Sequence, residues 1–229
     1  PHIKAGAKQV VISAPAKSND VPTYLKGVNH KDIGKNEKIV SNASCTTNCV
    51  APVAAVMNNT FGIAKATMTT IHSYTADQRI VDGPHKDLRR ARAAAQNIIP
   101  TTTGAAIATT KTIPELDGLF DGLAVRVPTV VGSLTDFTML LKKRTTVSGI
   151  NSAFKKAAKH PMYKGVLAIT EEPIVSSDII GNPYSTIVDL SLTKVVDGDL
   201  VKVVAWYDNE WGYANRLVEM VAELAKKKK

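Results

Sequence analysis

The chain has 229 residues, 44% of them apolar and 21% charged, with 29 Lys and Arg against 20 Asp and Glu for a net charge of +9. That apolar content, without low-complexity tracts, excludes disorder as the main state, and the length suffices to bury a real core. No apolar run approaches the roughly 20 residues of a membrane span, no hydrophobic leader opens the chain, and Cys45 and Cys49 form no disulfide framework, so a soluble protein of the reducing cytoplasm is expected.

Taken in order, residues 8–14 read as a short buried strand before Pro15, and residues 38–40 as a second, joined by a polar, turn-rich connection. Helical spacing follows from Asn48 to Phe61, with Val53, Val56, Met57 and Phe61 on one stripe and Gly62 as the stop. Pro52 is tolerated only near a first turn, which puts the helix start close to residues 45–48, where Ser44, Thr46, Thr47 and Asn48 offer capping oxygens. Residues 63–74 alternate as a strand ending at His72-Ser73-Tyr74. A long basic segment, 75–103, reads as a functional loop, and 105–113 as a short helix stopped by Pro114. Strands are expected at 123–127, 130–142, 165–170, 185–195 and 200–208. A helix at 146–160 carries Val147, Ile150, Phe154 and Ala157 on one stripe, and a final helix at 214–227 carries Leu217, Val218, Val221 and Leu224. Consecutive strands with few intervening helices predict an α+β catalytic domain with a largely antiparallel sheet flanked by helices.

The four lysines at residues 226–229 supply four of the nine excess charges. They read as a solvated helix end opposite the helix dipole, with nucleic-acid or membrane contact the minor alternative. The remaining +5 suits small anionic ligands.

The stretch Ser41-Asn-Ala-Ser-Cys-Thr-Thr-Asn-Cys49 sets Cys45 at the junction of a strand and a helix N-terminus. Unpaired N–H groups and the helix dipole there favour the reactive thiolate, and with the Ser44 and Thr46 hydroxyls they offer a seat for an oxyanion or phosphate. A thiol nucleophile needs a proton acceptor. Of five histidines, His72 is the one at the end of a buried-looking strand; His2, His30, His85 and His160 lie in polar stretches. Two readings stand on pattern alone: a catalytic Cys45–His72 pair, or a buried small cysteine and a hydrogen-bonded core histidine. Cys49, one turn further, reads as a packing cysteine, and Cys-x3-Cys with one nearby His is too weak to assign a metal.

Arg126, inside the apolar strand Leu123-Ala-Val-Arg-Val-Pro128, requires either an anionic ligand or a carboxylate partner. Of Arg89, Arg90 and Arg92, at most two can face one site. Thr101-Thr-Thr-Gly104 before a helix is a second possible anion cradle. No Gly-x-Gly-x-x-Gly follows a strand, so a self-contained dinucleotide fold is not expected within the chain.

These residues bring a family into view. The 41–49 stretch resembles the active-site signature of bacterial-type phosphorylating glyceraldehyde-3-phosphate dehydrogenases. The likeness continues through Thr70-Ile-His-Ser-Tyr-Thr75, Asp87-Leu-Arg-Arg-Ala-Arg92, Asn97-Ile-Ile-Pro-Thr-Thr-Thr-Gly104, Arg126-Val-Pro-Thr129 and Trp206-Tyr-Asp-Asn-Glu-Trp-Gly-Tyr213. The resemblance implies oxidative phosphorylation of D-glyceraldehyde 3-phosphate in glycolysis, with NAD and inorganic phosphate, through a thioester. It implies Cys45 as nucleophile and His72 as base. Thr75 and Arg126 would hold the substrate's own phosphate, and Ser44, Thr46, Thr103 and Gly104 the inorganic phosphate, with Arg90 a further substrate-binding arginine. Asn209 and Ser13 would line the cofactor site.

The resemblance also implies that residues 1–42 are the remnant of a mostly absent, truncated Rossmann-type domain. Residues 43–213 would be the catalytic domain, and 214–229 a helix that packs on the nucleotide-binding domain and is left with an exposed stripe. Residues 74–97 resemble the family's S-shaped loop, which lines the cofactor and the core of a homotetramer; Gly83-Pro84 looks NAD-preferring. For the chain by itself, a thiol acyl-transfer or esterase-like activity without dehydrogenase turnover is the alternative.

Overall fold

In the computed structural model, which describes all residues except 19 and 227–229, a two-stranded parallel sheet precedes a seven-stranded mixed one. Strands β1 (Val10–Ile12) and β2 (Ile39–Ser41) form the first. Then come α1 (Cys45–Phe61), β3 (Ile63–Ser73), β4 (Ile99–Thr101), α2 (Ala105–Thr110), β5 (Phe120–Val127), β6 (Ser133–Leu141), α3 (Val147–Lys159), β7 (Leu167–Thr170), β8 (Thr186–Val196), β9 (Leu200–Tyr207) and α4 (Trp211–Lys226). The large sheet runs β4-β5-β3-β6-β9-β8-β7, antiparallel except where β3 meets β5 and β7 meets β8. The expected α+β architecture is present.

Period-2 alternation builds the sheet: along β6 every second residue is buried and the intervening ones are half-exposed. Met68, Phe137, Met139 and Val203 of the sheet pack with Val50, Val53 and Met57 of α1 and Ile150 and Phe154 of α3 in the main core. At the end of α1, Gly62 takes φ 70°, its N–H closes on Asn58 O at 2.9 Å, and Asn58 Oδ1 accepts from Ile63 N at 3.1 Å. A glycine adopts that left-handed turn without a Cβ penalty, and the chain reverses directly into β3.

Several expectations need correction. The 75–103 segment contains a short edge strand, β4, because residues 99–101 pair antiparallel with Ala124–Arg126 despite Pro100; an edge position tolerates the missing donor. Pro52 sits two turns inside α1, not near its first turn, since the helix starts at Cys45. Of the four stripe residues expected on the last helix, only Leu224 is buried, with Leu217 half-buried. Met220 and Leu224 are buried against Val40 and Ile33, and Arg216 is buried beside them, whereas Val218 and Val221 stay exposed. The helix begins three residues earlier than expected, and packing against the 1–42 segment selects its face. Val147 likewise remains exposed at the start of α3. Of the lysine tail, residues 227–229 lie outside the described residues.

Candidate active site

Two sheet-edge events bring the site together. At the end of β2, Ala43 adopts φ 52°, an uncommon left-handed conformation for a residue with a side chain. Its carbonyl is held by the Tyr213 hydroxyl of α4 at 2.9 Å. That turn starts α1 immediately: Ser44 is the N-cap, its Oγ accepting from Thr47 N at 3.1 Å, and Cys45 is the first helical residue. Asn48 braces the turn from within the helix, donating to Asn42 O at 2.9 Å and Ser44 O at 3.0 Å.

The strand pairing supplies the rest. His72 of β3 is directly paired with Arg126 of β5 in a parallel register that no short-range pattern reveals. His72 Nε2 lies 3.5 Å from Cys45 Sγ. Its Nδ1 lies 2.6 Å from Ser73 O and 2.7 Å from Arg126 Nη1, which also donates to Ser73 O at 3.0 Å. One nitrogen serves only one of these contacts at a time: protonated, it donates to Ser73 O; bare, it accepts from Arg126. Only the first leaves Nε2 as an acceptor facing the thiol. No carboxylate pairs with Arg126 among the described residues; the residue is half-buried, and its Nε is buried without a hydrogen-bond partner.

Burial and the Arg126 charge push His72 down to about 4, so the ring is neutral near pH 7 and able to take a proton. Burial also pushes the Cys45 thiol up, against the Thr46 hydrogen bonds and the Arg126 charge. This differs from the sequence expectation of a helix-stabilised thiolate: loss of water on burial outweighs the hydrogen bonds and the charge that favour the thiolate. The resting pair is therefore neutral thiol and neutral imidazole. Cys49 is inert by the same logic, fully buried, near Thr186 Oγ1 at 3.5 Å and pushed up to about 12 by desolvation.

The buried, depressed His72 makes stability acid-sensitive. An unfolded histidine takes up its proton near 6.5, the folded one only near 4, so the unfolded chain binds more protons between these values. The contribution is fully present above about pH 6.5 and is lost as pH falls through that window, by about 3 kcal/mol at most. Asp77 and Asp87 titrate below it. Burial raises Asp77 but the Arg90 hydrogen bond and charge prevail, and Asp87 is held low chiefly by the Thr101 hydroxyl. Urea unfolding at pH 7 and pH 4.5 is expected to show this loss in the wild type and a smaller one in His72→Asn; equal losses would remove His72 as its source.

The other expected residues are placed as follows. Thr46 Oγ1 meets the Tyr207 hydroxyl at 3.0 Å, and that hydroxyl meets Thr70 Oγ1 at 2.8 Å. Tyr207 also sets its ring edge-on to His72 at 6.0 Å. Sequence reasoning gave Tyr207 no role, although its position on the inward face of β9 was available from the alternation. Thr75 lies just beyond β3, its N–H on Gln78 Oε1 at 3.3 Å, and makes no hydrogen bond to Arg126 among the described residues. Arg90 is already engaged, pairing with Asp77 and donating to Thr101 Oγ1 at 2.8 Å and Thr102 O at 3.1 Å. Arg92 faces Asp82 and Arg89 faces Pro100 O, so the three arginines diverge. Thr103 Oγ1 accepts from Ala105 N at 3.2 Å, with Gly104 exposed at the start of α2. Ser13 is exposed just after β1. Neither Ser13 nor the Thr103–Gly104 pair touches Cys45 or His72 by a hydrogen bond among the described residues. Asn209 is buried, its Oδ1 accepting from Gly132 N at 3.1 Å and Ser133 Oγ at 2.8 Å, which turns its amide nitrogen away from both donors. His85, in its polar stretch, has a side chain only 10% exposed, with Asp77 Oδ1 3.7 Å from its Nε2.

Among the described residues there is no group of three or more His, Cys, Asp or Glu placed to hold a metal, and no helix long and apolar enough to cross a membrane. A helix-start thiol facing a buried imidazole, beside an arginine without a carboxylate partner among the described residues, on an α+β scaffold, is the arrangement that cysteine-nucleophile chemistry requires. Residues 44–209 match the family described as glyceraldehyde 3-phosphate dehydrogenase, C-terminal domain. The chain belongs to the glyceraldehyde 3-phosphate dehydrogenase family. It is 58% identical over 220 residues to the glyceraldehyde-3-phosphate dehydrogenase of Streptomyces coelicolor, covering 96% of this chain and 65% of that protein. With the proteins of the same name from Mycolicibacterium smegmatis and Mycobacterium tuberculosis it shares 56% over 225 residues, 98% of this chain and 65% and 66% of theirs. The chain thus spans about 65% of the length of the curated relatives it matches.

Proposed function

We propose that this chain carries the catalytic part of an NAD-dependent phosphorylating glyceraldehyde-3-phosphate dehydrogenase, and the observation that carries this reading is the 3.5 Å approach of His72 Nε2 to Cys45 Sγ beside Arg126. Residues 43–213 form the catalytic unit, and residues 1–42 and 214–229 belong to the nucleotide-binding side. The packing of Met220 and Leu224 on Val40 and Ile33 supports that division.

Cys45 Sγ attacks the aldehyde carbon of glyceraldehyde 3-phosphate, and the thiol proton passes through His72 Nε2 to the carbonyl oxygen, giving a hemithioacetal. His72 then takes the hydroxyl proton as the carbon is oxidised to the thioester. NAD, when bound, supplies the hydride acceptor for that oxidation. Inorganic phosphate attacks the thioester carbon, the acyl–sulfur bond breaks, and His72 returns its proton to the departing sulfur, leaving 1,3-bisphosphoglycerate.

Arg126 and Thr75 hold the C3 phosphate. Ser44, Thr46, Thr103 and Gly104 hold the inorganic phosphate, and Arg90 assists through its position between Thr101 and Asp77. The residues present fit one end of the cofactor. The Asn209 amide, fixed through its oxygen, has a nitrogen free of those donors to receive a carboxamide oxygen, and Ser13 lines the adjoining strand end. Membership of a family of homotetramers and a cytoplasmic location complete the proposal.

The test is NADH formation by the purified protein from D-glyceraldehyde 3-phosphate, dependent on inorganic phosphate. A second reading, for the 229 residues by themselves, is acyl transfer at Cys45 without hydride transfer, which the Cys45–His72 approach also supports. Acylation of Cys45 by an activated ester with no NADH formed would favour that reading, and failure of both reactions would overturn both.

A further inference from the structure

A groove of about 420 Å³ opens far from the thiol, where the second half of α1 meets the second half of α3 and the turn at residues 160–163. Asn59 and Thr60 on its rim are some 14 residues beyond Cys45 along α1, about 20 Å at the helical rise. Its floor is apolar, made by Val28, Val56, Ala153, Ala157 and Met162, with the half-buried Tyr163 ring as one wall. Gly27, at φ 83°, lies against that wall: a Cβ there would come within 3.0 Å of Val166 and 3.5 Å of the Tyr163 ring. Any larger residue would push the wall inward.

The polar groups around this floor are one-sided. No Asp or Glu lines the groove. Neighbouring lysines are paired, Lys155 with Glu171 at 2.7 Å and Lys26 with Glu219 at 2.9 Å, whereas Lys156 on the rim has no carboxylate partner among the described residues. His160 Nδ1 accepts from Met162 N at 3.1 Å, so the neutral ring carries its remaining proton on Nε2 as a donor. The Tyr163 hydroxyl makes no hydrogen bond among the described residues, and burial alone pushes it up, which keeps it a protonated donor. Two helix C-termini converge here and would favour a cation, but several of the carbonyls there already accept hydrogen bonds: Val56 O from Thr60 Oγ1 at 2.7 Å, Asn58 O from Gly62 N at 2.9 Å and Ala157 O from His160 N at 2.9 Å. The polar groups that line the groove are the Lys156 ammonium, His160, the Tyr163 hydroxyl, the Thr60 hydroxyl and the neutral Asn59 amide, so the one full charge among them is positive.

We propose that this groove is a second binding site, separate from the thiol, for a small flat apolar ligand bearing one anionic group. The floor takes an aromatic ring, and Lys156, His160 and Tyr163 take its sulfonate, carboxylate or phosphate. The volume matches ligand clefts and is too small for a docking helix or strand. This site does not depend on the dehydrogenase reading.

The probe is 8-anilinonaphthalene-1-sulfonate, titrated by fluorescence into the folded protein. The expected result is saturable binding of one molecule per chain, weakened about tenfold by Lys156→Glu, abolished by Ala153→Trp, and unchanged in Cys45→Ser. Lys156 is solvent-exposed, so its substitution reads the ligand contact with the fold intact. Absence of saturable binding, or equal binding by wild type and both groove variants, would overturn the proposal.

Discussion

Cys45→Ser is expected to eliminate both dehydrogenase turnover and acylation by activated esters, the largest single effect of any substitution in the chain. The reason is chemical and not structural. Cys45 is the first residue of α1, partly exposed, packed against the main core, and among the described residues its sulfur has as hydrogen-bond partners Thr46 Oγ1 at 4.0 Å and His72 Nε2 at 3.5 Å. A serine hydroxyl occupies that volume without disturbing the Ser44 cap or the Tyr213 brace, so the fold stays intact while the nucleophile becomes a far weaker acid and a poorer leaving group from the acyl intermediate. Intact-mass detection of an acyl adduct after treatment with p-nitrophenyl acetate separates the possibilities. The wild type is expected to gain one acetyl group on Cys45 and the serine variant none. Undiminished turnover by Cys45→Ser would exclude a thioester route. Cys49, buried and pushed up to about 12, is not expected to substitute for it.

His72→Asn is expected to slow acylation of Cys45 by about 10²–10⁴-fold while leaving the thiol present. Asparagine keeps a polar group near Arg126 and Ser73 O but removes the acceptor that faces the sulfur. In the wild type the rate should rise with pH and level off above the His72 transition, because the depressed imidazole is already neutral near pH 7 and only below about 4 to 5 does it become protonated. The variant should instead follow the ionisation of the thiol itself, raised by burial, so its rate keeps climbing through alkaline pH. A merely structural histidine would change the rate without exchanging one pH profile for the other, and a variant retaining the wild-type profile would assign the base to another group.

Local chemistry was legible from the residues alone. A helix start close to residues 45–48 followed from the capping residues, whereas the premise that Pro52 sits near the first turn failed, since it lies two turns in. The inertness of Cys49 followed from its place on the buried side of that helix. The strand end at His72 followed from alternation, and the Arg126 requirement for an anion or carboxylate followed from a charged residue among apolar neighbours. Motif wording then identified a family to which the chain belongs.

The sequence therefore determined the elements, the α+β class and the residue types available for chemistry, because these depend on periodicity and on interactions within a few positions. Only the tertiary structure decided which of them meet. Parallel pairing set His72 beside Arg126, 54 positions away, and the β9 register put Tyr207 under Thr46 from 161 positions away. The face of α4 that is buried was chosen by Val40 and Ile33, not by its most apolar stripe. The direction of the Cys45 shift was decided by desolvation, a property of the assembled surroundings that no local motif contains, and it reversed the expectation drawn from the helix dipole.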